Sequence, residues 1–571
     1  MENAQIADIF DEIGDLLELR EDNPFRIRSY RSAAQSIRNM SDRLEQLAED
    51  GKDLSRIPNI GEATAGKIHE ILEKGTCGRL EELREEMPEG LPEVMRVPGL
   101  GPRKAMQLYR DLEIESLDGL KKACEEHKVR ELAGMGSKTE EKILQGIKTV
   151  KRTSGRILYH EADEYLDSLS GYLNELDELD RWETAGSIRR GKETIGDLDI
   201  LIHAPDREKA ADAILEYANI FDVISRGKER VSVRLTGGFQ IDFRFFDPPA
   251  FGSALMYFTG SKAHNIAIRK IAQKNTWKLN EYGLFKGRRR LAGKTEEAVY
   301  SRLNMRWVPP ELREDCGEVE ASLKDRLPRL IEPEDIRGDL HAHTKATDGG
   351  NTIREMAEAA RNAGYSYLAV TDHSKRVSMA GGLDDDAALR HADAVRKADG
   401  EMKRFWLLAG IEVDILKNGT LDLKEKTLES LDWVVASVHY DRNIGRKAMT
   451  DRIVRAVDSG LVHCLGHPLG RIIGEREPFD VDMERVIESC VENGVRLEIN
   501  SQPDRLDLPG NYCRTARDAG ARFAIGTDTH SADGFRFMRM GIITARRGWL
   551  RKKDVLNTAT IAGLKKILKK K

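Results

Sequence analysis

The spacing of apolar residues changes twice along this chain, and each change separates regions that cannot share one fold class. Residues 1 to about 150 carry apolar residues at helical spacing, with almost no β-branched alternation. From about 151, short stretches rich in Val, Ile and Phe predict strands between helices, a mixed α+β region. Beyond about 337, strand-like and helical runs alternate regularly, which predicts βα units around a parallel sheet, open or barrel-like. The 571 residues allow roughly three or four domains.

Charge and targeting signals limit the classes of protein that remain. Lys and Arg (92) nearly cancel Asp and Glu (97), for a net charge of −5, which argues against a simple polycationic nucleic-acid binder. Local basic surfaces such as Lys286 to Arg290 are still compatible with this balance. The six cysteines are scattered without a CxxC pair, and no apolar run approaches the ~18 residues of a membrane span. The first residues are acidic and amphipathic, unlike a signal peptide, so we expect a cytoplasmic protein with no membrane partner.

A short glycine-containing turn recurs three times in the helical region. Its copies are Ile57 to Gly61, Val97 to Gly101 and Leu132 to Gly136, each followed by a helix-forming run with Lys or Arg. Glycine suits such a turn because the backbone can take positive φ and approach a partner closely. The following helix then offers free N–H groups to an anion. One copy alone is equally well explained as a tight turn between helices.

Three copies of the turn favour a helix-hairpin-helix array that binds DNA phosphates without reading the sequence. The first copy has Asn59 where glycine is usual, and Asn is the next most tolerant residue at positive φ. The residues that we expect to contact DNA in these turns are Gly61, Gly99, Gly101, Gly134 and Gly136.

Three aspartates in the α+β region form a candidate metal site. Asp197 and Asp199 stand at i and i+2 of a strand-like run and therefore point to one face, where Asp242 can meet them from a neighbouring strand. Converging carboxylates repel unless cations lie among them, and hard oxygen ligands suit Mg²⁺. Two metals held there can deprotonate an attacking hydroxyl and stabilise a leaving pyrophosphate. Nucleotide phosphates would meet the preceding turn at Gly186, Ser187, Arg190 and Gly196.

The pattern GS-x-RRG followed by GD-x-D is more specific than DxD alone, and it resembles the nucleotidyltransferase superfamily, in particular the family-X DNA polymerases. The segment Tyr257 to Gly260, followed by Asn265 and Arg269, supports the narrower resemblance. Without the flanking motif, its two aromatic residues would be taken as core packing. The resemblance departs at Gln240, where the animal enzymes have arginine, and at His264, where they have phenylalanine.

The resemblance to family X assigns roles to these residues. Tyr257 and Phe258 would lie beside the incoming sugar and discriminate against a 2′-hydroxyl, and Gly260 would belong to the same nucleotide-binding segment. Asn265 would contact the minor-groove edge of the nucleotide, and Arg269 the template strand. Two Mg²⁺ or Mn²⁺ ions would be bound by Asp197, Asp199 and Asp242.

The same resemblance makes Lys67 a candidate Schiff-base nucleophile for removing a 5′-deoxyribose phosphate. A lysine amine is a competent nucleophile only where its pKa is lowered by burial or nearby cations. The lysines that support it in the family are here Arg26 and Ala63. The alternative role of Lys67 is an exposed contact to DNA.

Histidine is concentrated in the last region: eight of the thirteen histidines lie from His341 onward. An HxH pair on a strand points both rings to one face, and the other candidates fall mainly at the C-terminal ends of strand-like runs, where βα loops assemble active sites. Imidazole and carboxylate ligands suit Zn²⁺, Mn²⁺ or Fe²⁺, and nine are more than one metal can use. The candidate ligands are His341, His343, Asp348, His373, Glu412, His439, His467, Asp528 and His530.

The order of these residues resembles the PHP phosphoesterase family, a distorted α/β barrel with three metals. The resemblance implies one metal on His341, His343, Glu412 and Asp528, a second on Glu412, His439 and His467, and a third on Asp348, His373 and His530. Metals at such a site activate water and neutralise phosphate charge. His391 and His463 match no ligand position and are interpreted as structural.

Together the motifs predict a multidomain chain similar to the bacterial and archaeal family-X DNA polymerases that carry a PHP domain. The expected activity is gap-filling DNA synthesis from dNTPs on gapped or primed DNA by a monomer, with 3′–5′ exonuclease, 3′-end phosphoesterase or abasic-site cleavage by the PHP domain. Alternatives are a DNA-binding scaffold with idle sites, or a nucleotidyltransferase and PHP phosphatase acting on substrates other than DNA. The predicted domains are helical DNA-binding at 1–85, helical fingers at 86–150, palm at 151–255, thumb at 256–315, a proline-rich linker at 316–336 and PHP at 337–571.

Overall fold

The computed structural model describes residues 3–569 apart from 21, 40–43, 50, 58–59, 89, 96, 98–99, 133, 154–155 and 237. These residues form two compact units, Met1–Arg156 and Ile157–Lys571. None of the helices found in these ranges has the length and apolar character needed to cross a membrane.

The first unit is entirely helical. Its helices are α1 (Asn3–Leu19), α2 (Pro24–Asn39), α3 (Leu44–Glu49), α4 (Glu62–Lys74), α5 (Gly78–Glu86), α6 (Leu91–Met95), α7 (Pro102–Leu112), α8 (Leu117–Glu125) and α9 (Ser137–Thr153). A single apolar core runs from Ile6 in α1 to Ile147 in α9. The boundary placed at residue 85 therefore does not separate two cores.

The second unit begins with the palm. Its elements are β1 (Ile157–Leu158), α10 (Tyr159–Asn174), β2 (Arg181–Thr184), α11 (Gly186–Arg189), β3 (Thr194–Ile195), β4 (Asp197–His203), α12 (Arg207–Leu215), β5 (Ile220–Arg226), β6 (Arg230–Leu235) and β7 (Gln240–Phe245). Five strands form one sheet in the order β2-β4-β7-β6-β5. Only the central pair, β4 and β7, is parallel. At the start of β4 the buried Leu198 and Ile200 alternate with Asp197 and Asp199, so the two aspartates share the other face.

The thumb follows the palm directly. Its elements are α13 (Pro248–Thr259), α14 (Lys262–Lys274), β8 (Lys278–Asn280), β9 (Gly283–Lys286), β10 (Arg289–Ala292), α15 (Glu296–Arg302) and α16 (Glu318–Leu323). The last helix lies in the segment predicted as a linker. Val319 and Leu330 of that segment pack in the thumb core, and the buried Glu318 binds His264 of α14. The prolines and charges that indicated a linker therefore belong to a folded part of the thumb.

The C-terminal domain is a parallel barrel, as the alternation of strands and helices predicts. Its elements are β11 (Gly338–Ala342), α17 (Ile353–Asn362), β12 (Tyr367–Val370), α18 (Asp385–Glu401), β13 (Trp406–Asp414), α19 (Glu425–Glu429), β14 (Trp433–Ser437), α20 (Arg446–Val457), β15 (Cys464–Leu465), α21 (Met483–Asn493), β16 (Arg496–Asn500), α22 (Gly510–Asp518), β17 (Phe523–Gly526), α23 (Met538–Arg547) and α24 (Ile561–Leu568). Seven strands pair in sequence order. A parallel bridge between Ala342 and Thr529 joins the first strand to the chain after the last, so the barrel is nearly closed.

Candidate active sites

The three palm aspartates lie on the two central strands of the sheet. Asp199 of β4 is directly opposite Asp242 of β7, and Asp197 is two residues before it on the same face. Asp242 is buried, Asp199 partly buried and Asp197 exposed. Burial raises the pKa of Asp199 to about 7, and the charges of Asp197 and Asp242 act in the same direction. Burial and the neighbouring carboxylates therefore disfavour the ionised form of Asp199, which a bound cation would stabilise.

Basic and amide groups hold the two inner aspartates. Arg244 reaches Asp199 at 3.2 Å and Asp242 at 2.9 Å, while Arg230 lies 2.8 Å from Asp242. Gln240 donates to Asp242 at 3.1 Å, so the residue that differs from the animal enzymes contacts the third aspartate itself. The donor set suits a hard divalent cation, and a cation bound to both carboxylates competes with Arg244 for the same oxygens.

The turn before the aspartates requires glycine at its first position. Gly186 has φ +66°, and a Cβ there would lie 2.9 Å from Oδ2 of Asp199. Ser187 follows it in α11, and Arg190 ends this helix. Arg190 donates to the carbonyl of Thr259 and lies 3.3 Å from Glu314. The turn thus places Arg190 between the palm and the thumb.

The residues predicted to select the nucleotide lie at the junction of α13 and α14. Phe258 packs under the guanidinium of Arg244 at 4.4 Å, and Tyr257 meets Phe258 edge to face at 5.1 Å. Asn265 donates to the carbonyl of Tyr257 at 2.7 Å, and its buried Oδ1 has no hydrogen-bond partner among the described residues. Arg269 lies 6.0 Å from the Tyr257 ring. The aromatic pair is therefore coupled to the carboxylates through Arg244.

Three other residues of this region, Gly196, Gly260 and His264, have different surroundings. A Cβ on Gly260 would lie 3.2 Å from Nη1 of Arg190, and Gly196 immediately precedes β4. His264 is fully buried, with its ring nitrogens 2.5 Å from Glu318 and 2.8 Å from the hydroxyl of Tyr300. It stabilises the thumb core, and no bond to the aspartates is found for it in the part of the chain that the structure describes.

The positive φ expected in the glycine turns of the helical unit is found at the middle position of the third turn and not at the last glycines. Gly61 and Gly101 precede α4 and α7 with φ of −86° and −85°, and Gly136 precedes α9, so the last glycine of each turn does not have positive φ. Gly134, the middle glycine of the third turn, has φ +78°. The equivalent positions, Asn59 and Gly99, lie outside the described residues.

The last glycines of these turns face open space instead. A Cβ on Gly61, Gly101 or Gly136 would meet no atom of the described residues within 4 Å. Among those residues no side chain caps α4 or α7, which leaves the first N–H groups of these helices for an external acceptor. Neither backbone strain nor internal packing therefore requires glycine at these positions. The close approach of a phosphate to the start of the helix would require it.

Lys67 of α4 lies in a basic cavity of about 520 Å³. Its Nζ donates to the carbonyl of Ala63 at 3.2 Å and lies 5.8 Å from the ring of Tyr30. The lining residues are Arg20, Arg26, Ser29, Tyr30, Ala63, Thr64, Lys67 and Arg79. Of the described residues, four cationic side chains and no acidic one line this cavity, which suits a phosphate.

The nine predicted ligands of the C-terminal domain come together at one end of the barrel. Glu412 of β13 is at their centre, with Oε1 at 3.0 Å from His467 and 3.4 Å from His439, and Oε2 at 2.8 Å from His373. His343 lies 3.0 Å from Asp528. The ligand atoms form three compact sets, and within each set they lie no more than 4.8 Å apart. The sets are His343, Asp348, His373 and His530; His341, His343 and Asp528; and His373, Glu412 and His439. Only these compact sets occur among the described residues, so the palm aspartates do not form one.

Further residues orient these ligands and were not identified from the sequence. Glu498 accepts from His341 Nδ1 at 2.6 Å and from the His467 amide at 2.6 Å, and Asp414 lies 3.1 Å from His439 Nδ1. Such bonds fix the ring that faces a metal. Asp414 is two residues after Glu412 on β13, so the spacing of these two residues could have predicted that both point to one face. Glu498 lies on a strand distant in sequence, for which no such spacing exists.

The unsatisfied atoms of this centre fit divalent metals. Buried ring nitrogens of His341, His343 and His467 have no hydrogen-bond partner among the described residues. Burial disfavours a charged ring at His373, yet Glu412 and Asp348 raise its pKa to about 10. Neutral imidazole and carboxylate are suitable ligands for Zn²⁺, Mn²⁺ or Fe²⁺.

The two histidines interpreted as structural have partners outside the nine ligands. His391 lies 2.8 Å from Asp372, and Nδ1 of His463 accepts from the Val434 amide at 3.1 Å.

Models of known families match successive parts of the chain. Two helix-hairpin-helix models match the first unit, the Helix-hairpin-helix domain at residues 1–77 and the SAM-like Helix-hairpin-helix tandem at 91–149. The DNA polymerase beta palm matches 156–229 and the DNA polymerase beta thumb 254–314. The PHP domain matches residues 339–502.

Named relatives agree with these matches. The protein named DNA polymerase/3'-5' exonuclease PolX of Bacillus subtilis (strain 168) is 34% identical over 574 residues, which cover 100% of both chains. A protein named Probable phosphatase from Thermoanaerobacter sp. (strain X514) is 28% identical over 41% of this chain and 94% of its own. Probable phosphatase YcdX of Escherichia coli O127:H6 is 30% identical over 34% of this chain and 78% of its own. The full-length similarity, the palm and thumb, and the PHP barrel together place this chain in the family-X DNA polymerases that carry a PHP domain.

Proposed function

We propose that this chain extends DNA primers at short gaps and processes 3′ ends, each reaction at its own metal centre. The observation that carries the proposal is the parallel pairing of β4 with β7, which sets Asp199 opposite Asp242 beside the turn of Gly186 and Arg190. An intact histidine and carboxylate set at the end of the barrel supports the second activity.

In the palm, Asp197, Asp199 and Asp242 would hold two Mg²⁺ or Mn²⁺ ions. Such ions, when bound, lower the pKa of a coordinated hydroxyl and neutralise the leaving pyrophosphate. Asp242, the most buried of the three, would accept the proton of the primer 3′-hydroxyl. Arg244 and Arg230, which bind it, keep it in place and would yield oxygens to the incoming cations.

The incoming dNTP would lie between the turn of α11 and the start of α14. Ser187, the backbone beside Gly186 and Gly196, and Arg190 would bind its phosphates. Tyr257 and Phe258 would contact its sugar, with Gly260 in the same segment. The open Oδ1 of Asn265 would receive the base edge, and Arg269 would contact the template strand.

The helical unit would bind the DNA backbone. The helix starts at Gly61 and Gly101, which no described side chain caps, would bind phosphates, and Gly99, Gly134 and Gly136 belong to the same set of turns. The cavity around Lys67 would hold the 5′-phosphate of the gap, and the amine of Lys67 would attack a 5′-deoxyribose phosphate.

In the PHP domain, three Mn²⁺, Zn²⁺ or Fe²⁺ ions would share the nine ligands around Glu412. When bound, such ions activate water and neutralise charge on a phosphate. Glu498 and Asp414 would keep His341 and His439 in the ligating orientation. Nucleotide removal, 3′-phosphate removal and abasic-site cleavage are all compatible with this set.

Each centre is built from residues of one chain, so the protein would act as a monomer, and a DNA substrate would place it in the cytoplasm. The six proposed regions are the helical DNA-binding part (1–85), the fingers (86–150), the palm (151–255), the thumb (256–315), the segment 316–336 and the PHP domain (337–571).

One-nucleotide-gapped DNA with a 3′-hydroxyl or a 3′-phosphate, incubated with dNTPs and Mg²⁺ or Mn²⁺, tests both activities. Asp242→Ala should abolish extension and leave 3′ processing, and His343→Ala should do the reverse, so each variant controls for the folding of the other. Extension by the Asp242 variant would refute the palm assignment. Removal of 3′-phosphate without removal of nucleotides would instead favour a phosphatase, as the names of the shorter relatives suggest.

A further inference from the structure

Two arginines beside the histidine centre bind a single carbonyl oxygen. Arg442 Nη2 and Arg476 Nε donate to the oxygen of Gly470 at 2.7 and 3.1 Å. The guanidinium groups are therefore neighbours. Gly470 belongs to the turn that begins at the candidate ligand His467, whose carbonyl accepts from its amide at 2.8 Å. The pair thus lies at the edge of the metal centre.

A third arginine connects this pair to the ligands. Arg505 has its Nε 3.9 Å from Oδ2 of Asp528, and its side chain is 22% exposed. In addition to burial, the charges of Arg476 and Arg505 lower the pKa of Arg442, and the charge of Arg505 lowers that of Arg476, as expected for groups that lie near one another. We refer to these three residues as the arginine cluster.

The arginine cluster has few negative charges to balance it. Within the described residues, no carboxylate lies within 4.0 Å of Arg442 or Arg476. The acidic groups that face them at longer range are Asp507 for both, and Glu475 and Asp504 for Arg476. Asp507 is fully buried, with both oxygens bound by the Leu469 amide, and burial raises its pKa to about 6.

The cluster is also held in place. Arg442 stacks on the ring of Phe479 at 4.3 Å, in addition to its bond to Gly470. Burial, followed by the charges of Arg476 and Arg505, lowers the pKa of Arg442 to about 10. Like charges fixed at short range repel one another unless an anion binds between them. A phosphate fits, because planar guanidinium groups bind its oxygens in pairs.

We propose that Arg442, Arg476 and Arg505 form a second phosphate subsite, which binds an internucleotide phosphodiester next to the one cleaved at the metal centre. The proposal rests on the proposed 3′-processing function and names its substrate class. A phosphate monoester would be bound by the metal ions alone. A strand carries further phosphates, and the subsite would bind the neighbouring one, so that the centre prefers a polynucleotide to a small phosphate ester.

Two substrates separate the subsite from the metal centre. The p-nitrophenyl ester of thymidine 5′-monophosphate contains one phosphodiester, whereas a labelled decanucleotide contains neighbours. With Mn²⁺, Arg476→Gln and Arg442→Gln should each lower kcat/KM on the decanucleotide about tenfold or more, the usual effect of losing a charged hydrogen bond. Hydrolysis of the ester should stay unchanged.

Arg485→Gln is the matched control. This residue pairs with Asp451 at 3.1 Å on the neighbouring helix, and its substitution should change neither substrate. Equal losses on both substrates for the cluster variants, or no loss on either, would overturn the proposal. Melting temperatures equal to that of the control variant verify that the fold is kept.

A neutral linkage identifies the phosphate concerned. Methylphosphonate in place of the phosphate next to the scissile one should lower kcat/KM of the native protein as much as Arg476→Gln lowers it on the unmodified strand. When the variant acts on the modified strand, kcat/KM should fall no further. Additive losses would show that the arginine contacts another group and overturn the assignment.

The proposed function can fail separately from the subsite. If the native protein hydrolyses neither substrate with any metal, 3′ processing is wrong, and binding of a labelled trinucleotide then tests the subsite. Weaker binding by Arg476→Gln than by Arg485→Gln supports the subsite, and equal binding refutes it.

Discussion

Glu296 joins the thumb to the nucleotide-binding turn, and Glu296→Gln tests how much this buried ion pair contributes to stability. Glu296 is 4% exposed and accepts hydrogen bonds from Arg189 at 2.8 and 2.9 Å, from Arg313 at 2.7 Å and from Trp307 at 3.0 Å. Arg313 is fully buried. Glutamine keeps the shape but leaves two guanidinium groups without a counter-charge. Breaking a buried pair in this way costs about 3–5 kcal/mol, so we expect the free energy of unfolding to fall by that amount.

The pH dependence provides a second measure of the same interaction. Burial disfavours the charged carboxylate, but Arg313 and Arg189 outweigh it and hold the pKa of Glu296 well below its usual range. A carboxyl with a lowered folded-state pKa stabilises the protein above its unfolded pKa of about 4.3 and loses this contribution as the pH falls towards the folded value. The difference in stability between native protein and variant should be constant from about pH 6 to 8 and narrow below about pH 4.5.

Urea unfolding followed by tryptophan fluorescence measures the loss of stability in the second structural unit, Ile157–Lys571. All six tryptophans lie in residues 157–571, so the signal does not report on the helical unit. The control is Glu297→Gln, the exposed next residue of α15, for which we expect a change within about 0.5 kcal/mol. A loss no larger than that of the control, or a difference that does not narrow at low pH, would refute the reasoning.

Three other results are expected. Chelation of divalent metals should lower the urea midpoint of the native protein, and added Mn²⁺ should restore it. At a concentration of Mn²⁺ about a hundred times Kd, the free energy of unfolding should rise by about 2.7 kcal/mol, and that of His343→Ala should rise much less. An unchanged midpoint would contradict a metal centre. Gly101→Ala should weaken the binding of gapped DNA about fivefold in anisotropy titrations. The fold should be kept, because the new Cβ meets no atom of the described residues within 4 Å. Gly171→Ala on α10, where a Cβ is equally unobstructed, should not weaken DNA binding. Lys67→Ala should abolish borohydride trapping on DNA with a 5′-deoxyribose phosphate, while Lys74→Ala on the same helix should retain it; trapping by the first variant would exclude Lys67 as the nucleophile.

Local spacing predicted the parts of both sites that lie within single strands. The DxD spacing placed Asp197 and Asp199 on one face, and strand ends predicted the convergence of His341 and His343 with distant ligands. The contacts of Arg244 could not be predicted in this way, because they depend on the register between β4 and β7. Glu498 was missed for the same reason, since it reaches His341 across the barrel.

Composition failed where polar residues are buried. The segment 316–336 is rich in proline and charge, yet Glu318 is fully buried because His264 and two backbone amides bind it. Positive φ was expected within each glycine turn, and Gly134 has it, whereas Gly61 and Gly101 have ordinary negative values. Their requirement is space for a partner, which a sequence cannot distinguish from a requirement for backbone strain.

The turn that carries Arg190 is shaped by the C-terminal domain as well as by the palm. Arg547 of α23 donates to the carbonyl of Arg190 at 2.9 Å, and a Cβ on Gly191 would lie 2.2 Å from a carbon of Ile543. Two residues further on, Glu193 accepts a paired contact from Arg471 at 2.8 and 3.0 Å, on a loop that follows the candidate ligand His467. A charge pair with this geometry resists rotation in a way that a single contact does not. The nucleotide-binding turn and the end-processing barrel are therefore parts of one packed structure, so the position of Arg190 cannot be treated as a property of the palm alone.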